Sequence, residues 1–262
     1  MDFSVPKIMG ILNITPDSFS DGGKFISHFA FRISHLMEEG ADIIDIGGES
    51  TGPGSKDVSL EEEMKRIKPV IDFVVKNKLT DKVLFSIDTY KSQVAEYALK
   101  NGFQMVNDVT ALRGDSRMAD ILLKYKPYVV LMYSKDPTAR TTRTEVRYAD
   151  VIEEIKSFLE KRVKLLTDIG FPKDRIIIDP GMGAFVSAIP EYSFEIINRL
   201  SELKSLGYPI LVGVSRKSFL GGKIEERDPI SAEWSLKAIK NGASIVRIHN
   251  VGLIMLTMKN LN

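Results

Sequence analysis

Eight short runs rich in Val, Ile and Leu recur along the chain at nearly even spacing, over residues 7–13, 41–48, 83–89, 105–110, 128–134, 176–181, 209–215 and 244–250. Each run is nearly continuous in apolar character rather than alternating. That is how strands covered on both faces of a parallel sheet read. Between the runs lie segments of helical period. In 151–166, Val151, Ile155, Phe158, Leu159, Val163 and Leu166 fall at steps of three and four, with Glu and Lys on the other face. Segments 59–76, 92–101, 116–125, 190–206 and 230–241 read the same way, and a short one at 253–261 closes the chain. Glycines at 102, 170, 207 and 242 stand where helix ends need a left-handed residue.

Eight strands alternating with helices in 262 residues predict a (β/α)8 TIM barrel. An open doubly wound sheet is the main alternative, but no Gly-x-Gly-x-x-Gly turn follows the first strand. No linker, charge block or low-complexity tract divides the chain, so residues 1–262 are expected to form a single domain.

Bulk properties narrow the function. The formal net charge is +1, which gives no global field for nucleic acid or an acidic membrane. Any bound anion must be held by a local site. No cysteine is present, which excludes disulfides, thiolate catalysis and cysteine-ligated metal. The start shows neither a basic region nor a long apolar stretch, and no run approaches the ~20 apolar residues of a membrane span. The expected setting is cytoplasmic.

In a barrel the active site lies at the carboxyl ends of the strands. Polar residues concentrate there: Asn13, Glu49-Ser50-Thr51, Asp88, Asn107-Asp108, Asp179, Ser215-Arg216-Lys217-Ser218, Arg247 and His249. Any one of these is as readily a turn former or a helix cap. The set is harder to explain structurally, because nearly every strand aims a polar group at one rim. Asp88, Asn107 and Asp179 suit a flat heterocycle rich in ring N–H and amino donors. The 215–218 segment, Arg247 and His249 place cations and hydroxyls where barrels often hold phosphate. Asn13 offers a weak oxygen ligand to a hard cation such as Mg²⁺, which leans on substrate phosphate for the rest. Residues 15–23, polar and glycine-rich, suit a mobile cover, although a plain connector has the same composition. His28 and His35 fall in the first helical segment and read as surface or packing residues. With three histidines in the chain, no His-cluster metal site can form.

Taken in order, these strings resemble the dihydropteroate synthase family. They are Ile8-Met9-Gly10-Ile11-Leu12-Asn13-Ile14-Thr15-Pro16-Asp17-Ser18-Phe19-Ser20-Asp21-Gly22-Gly23, Ile43-Ile44-Asp45-Ile46-Gly47-Gly48-Glu49-Ser50-Thr51, Ser86-Ile87-Asp88-Thr89, Asn107-Asp108, Asp179-Pro180-Gly181-Met182-Gly183, Ser215-Arg216-Lys217-Ser218 and Arg247-Ile248-His249. The resemblance implies condensation of 6-hydroxymethyl-7,8-dihydropterin pyrophosphate with p-aminobenzoate, with loss of pyrophosphate. It implies a pterin held by Asp88, Asn107, Asp179 and Lys217. It implies pyrophosphate at Asn13, Thr51, Arg247 and His249 with Mg²⁺ on Asn13, and p-aminobenzoate at Phe19, Ser218 and Phe185. Asp21, Asp88 and Lys217 are the implied catalytic set, and a homodimer is the implied assembly.

Four departures stand out. Gly52 replaces the usual Arg, Tyr133-Ser134 replaces His-Met, Asn250 replaces Asp, and Ala184 to Ile189 replaces a Phe-Gly-Lys type of segment. The last of these, with residues 131–134 and 140–144, looks like the divergent, sulfonamide-insensitive branch of the family, and the departures predict a rebuilt p-aminobenzoate pocket beside an intact pterin pocket. A pterin-dependent methyltransferase is one alternative; a decayed pterin-binding paralogue, favoured by Gly52, is another.

Overall fold

The computed structural model describes residues 1–14 and 24–259. The strands are β1 (Lys7–Asn13), β2 (Ile43–Gly47), β3 (Leu84–Asp88), β4 (Met105–Asp108), β5 (Tyr128–Met132), β6 (Ile176–Asp179), β7 (Leu211–Val212) and β8 (Ile245–Ile248). The helices between and after them are α1 (Lys24–Glu38), α2 (Leu60–Lys76), α3 (Ser92–Lys100), α4 (Met118–Tyr125), α5 (Val151–Asp168), α6 (Pro190–Asn198), α7 (Arg227–Lys240) and α8 (Val251–Lys259). All strand pairs are parallel, in the order β6-β5-β4-β3-β2-β1-β8-β7. A parallel bridge between Ile178 and Ile210 joins the two end strands, so the sheet closes on itself. The chain is a (β/α)8 barrel, as its apolar pattern predicts. Residues 15–23, with the candidate site residues Phe19 and Asp21, lie outside the described residues.

Strand parity explains why the runs read as continuously apolar. Successive side chains point to opposite faces. In β2, Ile44 and Ile46 join the outer cluster that also holds Ile67, Val70 and Val74 of α2. Ile43 joins an inner cluster with Met9, Met105, Tyr128, Val130, Ile177, Leu211 and Ile245. This cluster plugs the amino-terminal half of the barrel. Each buried aliphatic side chain contributes about 1.5–3 kcal/mol. The inward parity continues past the plug to Asp45, Ser86, Asn107, Asp179 and Arg247, so the upper half of the barrel is polar.

Local signals set the helix starts. Ser59 Oγ accepts from Glu62 N at 3.2 Å to start α2. Asp150 Oδ1 accepts from Ile152 N at 2.8 Å and Glu153 N at 3.2 Å to start α5. Two expectations need revision. The segment 190–206 is not one helix: α6 ends at Asn198 and a 3-10 stretch follows over Leu200–Leu206. Leucines at 200, 203 and 206 repeat every three residues, which a 3-10 turn places on one side; Leu200 and Leu203 are buried. Helix α7 begins at Arg227 rather than at residue 230, and Pro229 falls in its first turn, where no N–H is needed. Apart from β1, the strands also end earlier than the apolar runs. Beyond β7 the chain turns at once, with Lys217 N donating to Val214 O at 3.2 Å.

Candidate active site

Register brings the site together. Gly47 pairs with Asp88, and Asp88 with Asn107, across β2, β3 and β4. Met132 pairs with Asp179 across β5 and β6. From the far side, Arg247 of β8 reaches over the plug. Its Nε donates to Asp45 Oδ2 at 2.6 Å and its Nη2 to Asp88 Oδ2 at 2.7 Å. Asn107 Nδ2 donates to the same Asp45 oxygen at 3.0 Å. Asp45 is fully buried and organises this floor, yet the sequence reading did not single it out as a site residue. The signal was present, since a carboxylate inside Ile-Ile-Asp-Ile shares the inward parity of Ile43. Arg247 was expected to serve pyrophosphate; here its guanidinium is engaged by two carboxylates.

The floor is electrostatically tuned. Burial pushes the Asp88 carboxyl up to about 7, against Arg247 and with help from Asp45, Glu63 and Asp108. Burial pushes Asp179 up to about 6, opposed by the Gly181 N–H, Lys217 and Arg247. Asp179 Oδ1 accepts that N–H at 2.7 Å. Gly181 has φ +68°, and a Cβ there would meet the Tyr133 carbonyl at 2.4 Å, so the turn under Asp179 requires glycine. Lys217 is drawn down to about 8 by burial and by Arg247, while Asp179 and Asp88 oppose the shift. Its Nζ donates to Met182 O at 3.2 Å and sits 4.8 Å from the centre of the Phe185 ring. Two carboxyls and an amine that all titrate near neutrality can donate to or accept from a heterocycle edge.

Above the floor opens a cleft of about 450 Å³. Asn13, Thr51, Asp88, Phe185, Lys217, Ser218, Arg247 and His249 all line it. Asn107 and Asp179 belong to the floor below, through their registers with Asp88 and Met132. His249 is not one of a ring of cations. Burial first, then Arg216 and Arg247, hold it down to about 3, so it is neutral. Ser215 Oγ accepts the His249 N–H at 3.1 Å and lies 2.9 Å from Nδ1. In the neutral ring one nitrogen donates and the other accepts, so the Ser215 hydroxyl can pair with Nδ1 in either tautomer and fixes the position of the ring. Arg216 is also no free cation, because Asp228 holds it bidentately at 2.7 and 2.8 Å. Of the 215–218 segment, Lys217 alone brings an unpaired charge to the cleft among the described residues.

Two departures prove to be structural. Tyr133 faces the outer shell, edge-on to Phe158 at 5.2 Å, with its hydroxyl donating to Tyr148 Oη at 3.1 Å. Asn250 caps α8, its Oδ1 accepting from Leu253 N at 3.0 Å. The loop after β5 carries contacts that no spacing announced. Arg140 engages the Glu49 carboxylate and donates to Ser50 O at 2.8 Å. Lys91 bridges Glu49 to the buried Glu63. Thr141 Oγ1 donates to Ala184 O at 2.8 Å. Among the described residues no group of three or more His, Asp or Glu is placed to hold a metal, and no helix is long and apolar enough to cross a membrane.

The pterin binding enzyme family model matches residues 9–249. A dihydropteroate synthase of Streptococcus pyogenes serotype M3 is 40% identical over 252 residues, covering 93% of this chain and 90% of that protein. A crystal structure of dihydropteroate synthase from Clostridium difficile, in the presence of pteroic acid, superposes with TM-score 0.87 at 40% identity, covering 98% of this chain and 95% of the other. The Xanthomonas albilineans dihydropteroate synthase with 4-aminobenzoic acid gives TM-score 0.90 at 35% identity, covering 100% and 93%.

Proposed function

The chain belongs to the pterin-binding enzyme family, and from that premise we propose how its cleft works as a dihydropteroate synthase. The reaction is a substitution at the exocyclic methylene of 6-hydroxymethyl-7,8-dihydropterin pyrophosphate. The C–O bond breaks and pyrophosphate leaves with the electron pair. The arylamine nitrogen of p-aminobenzoate forms the C–N bond, and its ammonium proton passes to solvent. The observation that carries the site assignment is the convergence of Asp88, Asn107, Asp179 and Lys217 above a sealed apolar plug.

Asp179, Asn107 and Lys217 take the pterin edge, and Asp88 faces the reacting side. Charge that develops as pyrophosphate leaves is met by Asn13, Thr51, His249 and the outer edge of Arg247. The carboxylates beneath tolerate a cationic pterin. Phe185 and Ser218 border the p-aminobenzoate position; Phe19, assigned to the same substrate, and Asp21, assigned with Asp88 and Lys217 to the catalytic set, lie outside the described residues. No side chain is needed as a covalent nucleophile. The Asn13 amide oxygen suits one position on Mg²⁺, a hard cation that takes few protein ligands beside phosphate oxygens. When bound it neutralises the leaving pyrophosphate. On this proposal residues 1–262 form one pterin-binding domain that acts as a homodimer in the cytoplasm; sedimentation velocity tests the dimer.

The test is pyrophosphate release from the pterin pyrophosphate with Mg²⁺ and p-aminobenzoate. Release that requires the arylamine, with dihydropteroate as product, is expected. Tight pterin binding without release would replace the proposal with that of a binding protein.

A further inference from the structure

p-Aminobenzoate carries a carboxylate at the end remote from its reacting amine. On the activity proposed above, the cleft must meet that anion somewhere near its mouth. The cationic side chains that line it are Arg143, Arg216, Lys217, Arg227 and Arg247. Arg216 is spent on Asp228. Arg227 donates through Nε, Nη1 and Nη2 to the carbonyls of Gly221, Arg216 and Gly222 at 2.8, 3.0 and 2.8 Å. Arg247 is spent on Asp45 and Asp88. Lys217 lies at the floor beside Asp179, where the pterin is placed. Among the described residues, Arg143 has neither a hydrogen bond nor an ion pair, and it is exposed.

We infer that Arg143, delivered by the loop after β5, binds the carboxylate of the arylamine substrate and sets the enzyme's preference for an acidic amine. Its side chain is free, but the backbone on either side of it is held. Thr141 N donates to Thr51 O at 3.4 Å, and Thr142 N donates to Asp136 Oδ2 at 2.9 Å. On the far side, Ala188 N donates to Thr144 O at 3.1 Å. Arg140, clasped to Glu49, ties the same loop to the end of β2. A free guanidinium on a pinned backbone is arranged for a planar anion, to which it can donate two parallel hydrogen bonds. Glu49 and Arg140 are positioning residues in this scheme, since they touch the loop and not the substrate.

The inference also accounts for Gly52. That residue lines the same cleft, and a Cβ there would meet nothing nearer than Ser50 Oγ at 3.8 Å. A Cβ at position 52 would therefore meet no obstruction, and no side chain is present there. The mouth receives its cation from the loop after β5 instead.

The test compares p-aminobenzoate with p-aminobenzamide, an isosteric neutral amine, in the wild type and in Arg143→Ala, Arg143→Lys and Arg143→Ala/Gly52→Arg. Loss of a hydrogen-bonded charge predicts a KM for p-aminobenzoate raised about 10- to 100-fold in Arg143→Ala, with kcat moving less than about threefold. The KM values for p-aminobenzamide and for the pterin pyrophosphate stay within about twofold. Arg143→Lys retains part of the preference, and the double variant regains it. Equal losses for acid and amide, or no loss for the acid, overturn the inference while leaving the activity intact. A wild type that releases no pyrophosphate with either amine overturns the activity and the inference together.

Discussion

The floor and the mouth of the cleft are built on different terms. At the floor, side chains project from strands in fixed register, and every charge on Asp45, Asp88 and Arg247 is committed to another. At the mouth, side chains project from loops pinned at intervals, and Arg143 is left unspent. The floor recognises through a preset network, whose cost is buried charge. The mouth recognises through a single adaptable contact, which is easily moved from one loop to another. This is why the departures that reach the cleft, at Gly52, Ala184 and Phe185, fall at the mouth, and why Asp88, Asn107, Asp179 and Lys217 are retained.

The largest expected effect is at the floor. Lys217→Ala should lower turnover by about 10³-fold, the scale of losing a donor aimed at developing charge, with the far-ultraviolet circular dichroism unchanged. Loss of the folded state would make the lysine structural and erase the contrast. Asp179→Asn comes next, with kcat/KM for the pterin pyrophosphate down about 10²-fold. It should also stabilise the fold. Because the folded pKa of about 6 lies above the ordinary 3.8, the native state binds more protons than the unfolded chain between those values. Stability from this group therefore falls as pH rises through that window, and the cost is fully present above pH 6. Removing the charge should raise Tm by about 2–4 °C per kcal/mol recovered at pH 7.5, a gain that disappears below about pH 4. The wild-type kcat/KM should fall on the acid side from about pH 7 to pH 6, as Asp88 and then Asp179 are protonated, and above about pH 8, as Lys217 loses its proton.

A smaller effect separates mouth from floor. Sulfamethoxazole should inhibit with a constant at least about tenfold above the KM for p-aminobenzoate, a difference near 1.4 kcal/mol that one misplaced charged contact supplies. Inhibition at concentrations comparable to that KM would show that the mouth is not rebuilt. Smallest of all, Tyr133→His should leave kcat/KM within about twofold, while the lost contacts to Tyr148 and Phe158 lower stability by about 1–3 kcal/mol. A large activity loss would mean that the outer shell reaches the cleft.

The barrel and its polar mouth were legible because both rest on strand parity, a property of neighbours in sequence. The same rule would have found Asp45, hidden in an isoleucine run. The 3-10 stretch over Leu200–Leu206 was legible in principle from its spacing of three. The role of His249 was not, because its neutrality comes from burial and from Arg216 and Arg247, which only the fold brings near. The segment 140–144 stood out in the sequence, but the role of Arg143 within it did not, for a similar reason. Its place depends on Thr141 meeting Thr51 and Arg140 meeting Glu49, contacts that join distant parts of the chain through an aperiodic loop.

The barrel closes between β6 and β7 through the single bridge of Ile178 and Ile210, with Ile178 N donating to Pro209 O at 3.0 Å. Asp179 stands at one side of that seam and Lys217 just beyond the other. A ligand that grips both therefore acts as a rivet across the most thinly hydrogen-bonded joint of the wall. Amide protons flanking the joint are the ones whose exchange a bound pterin should slow most. Occupancy of the cleft thus becomes readable as the tightness of a seam.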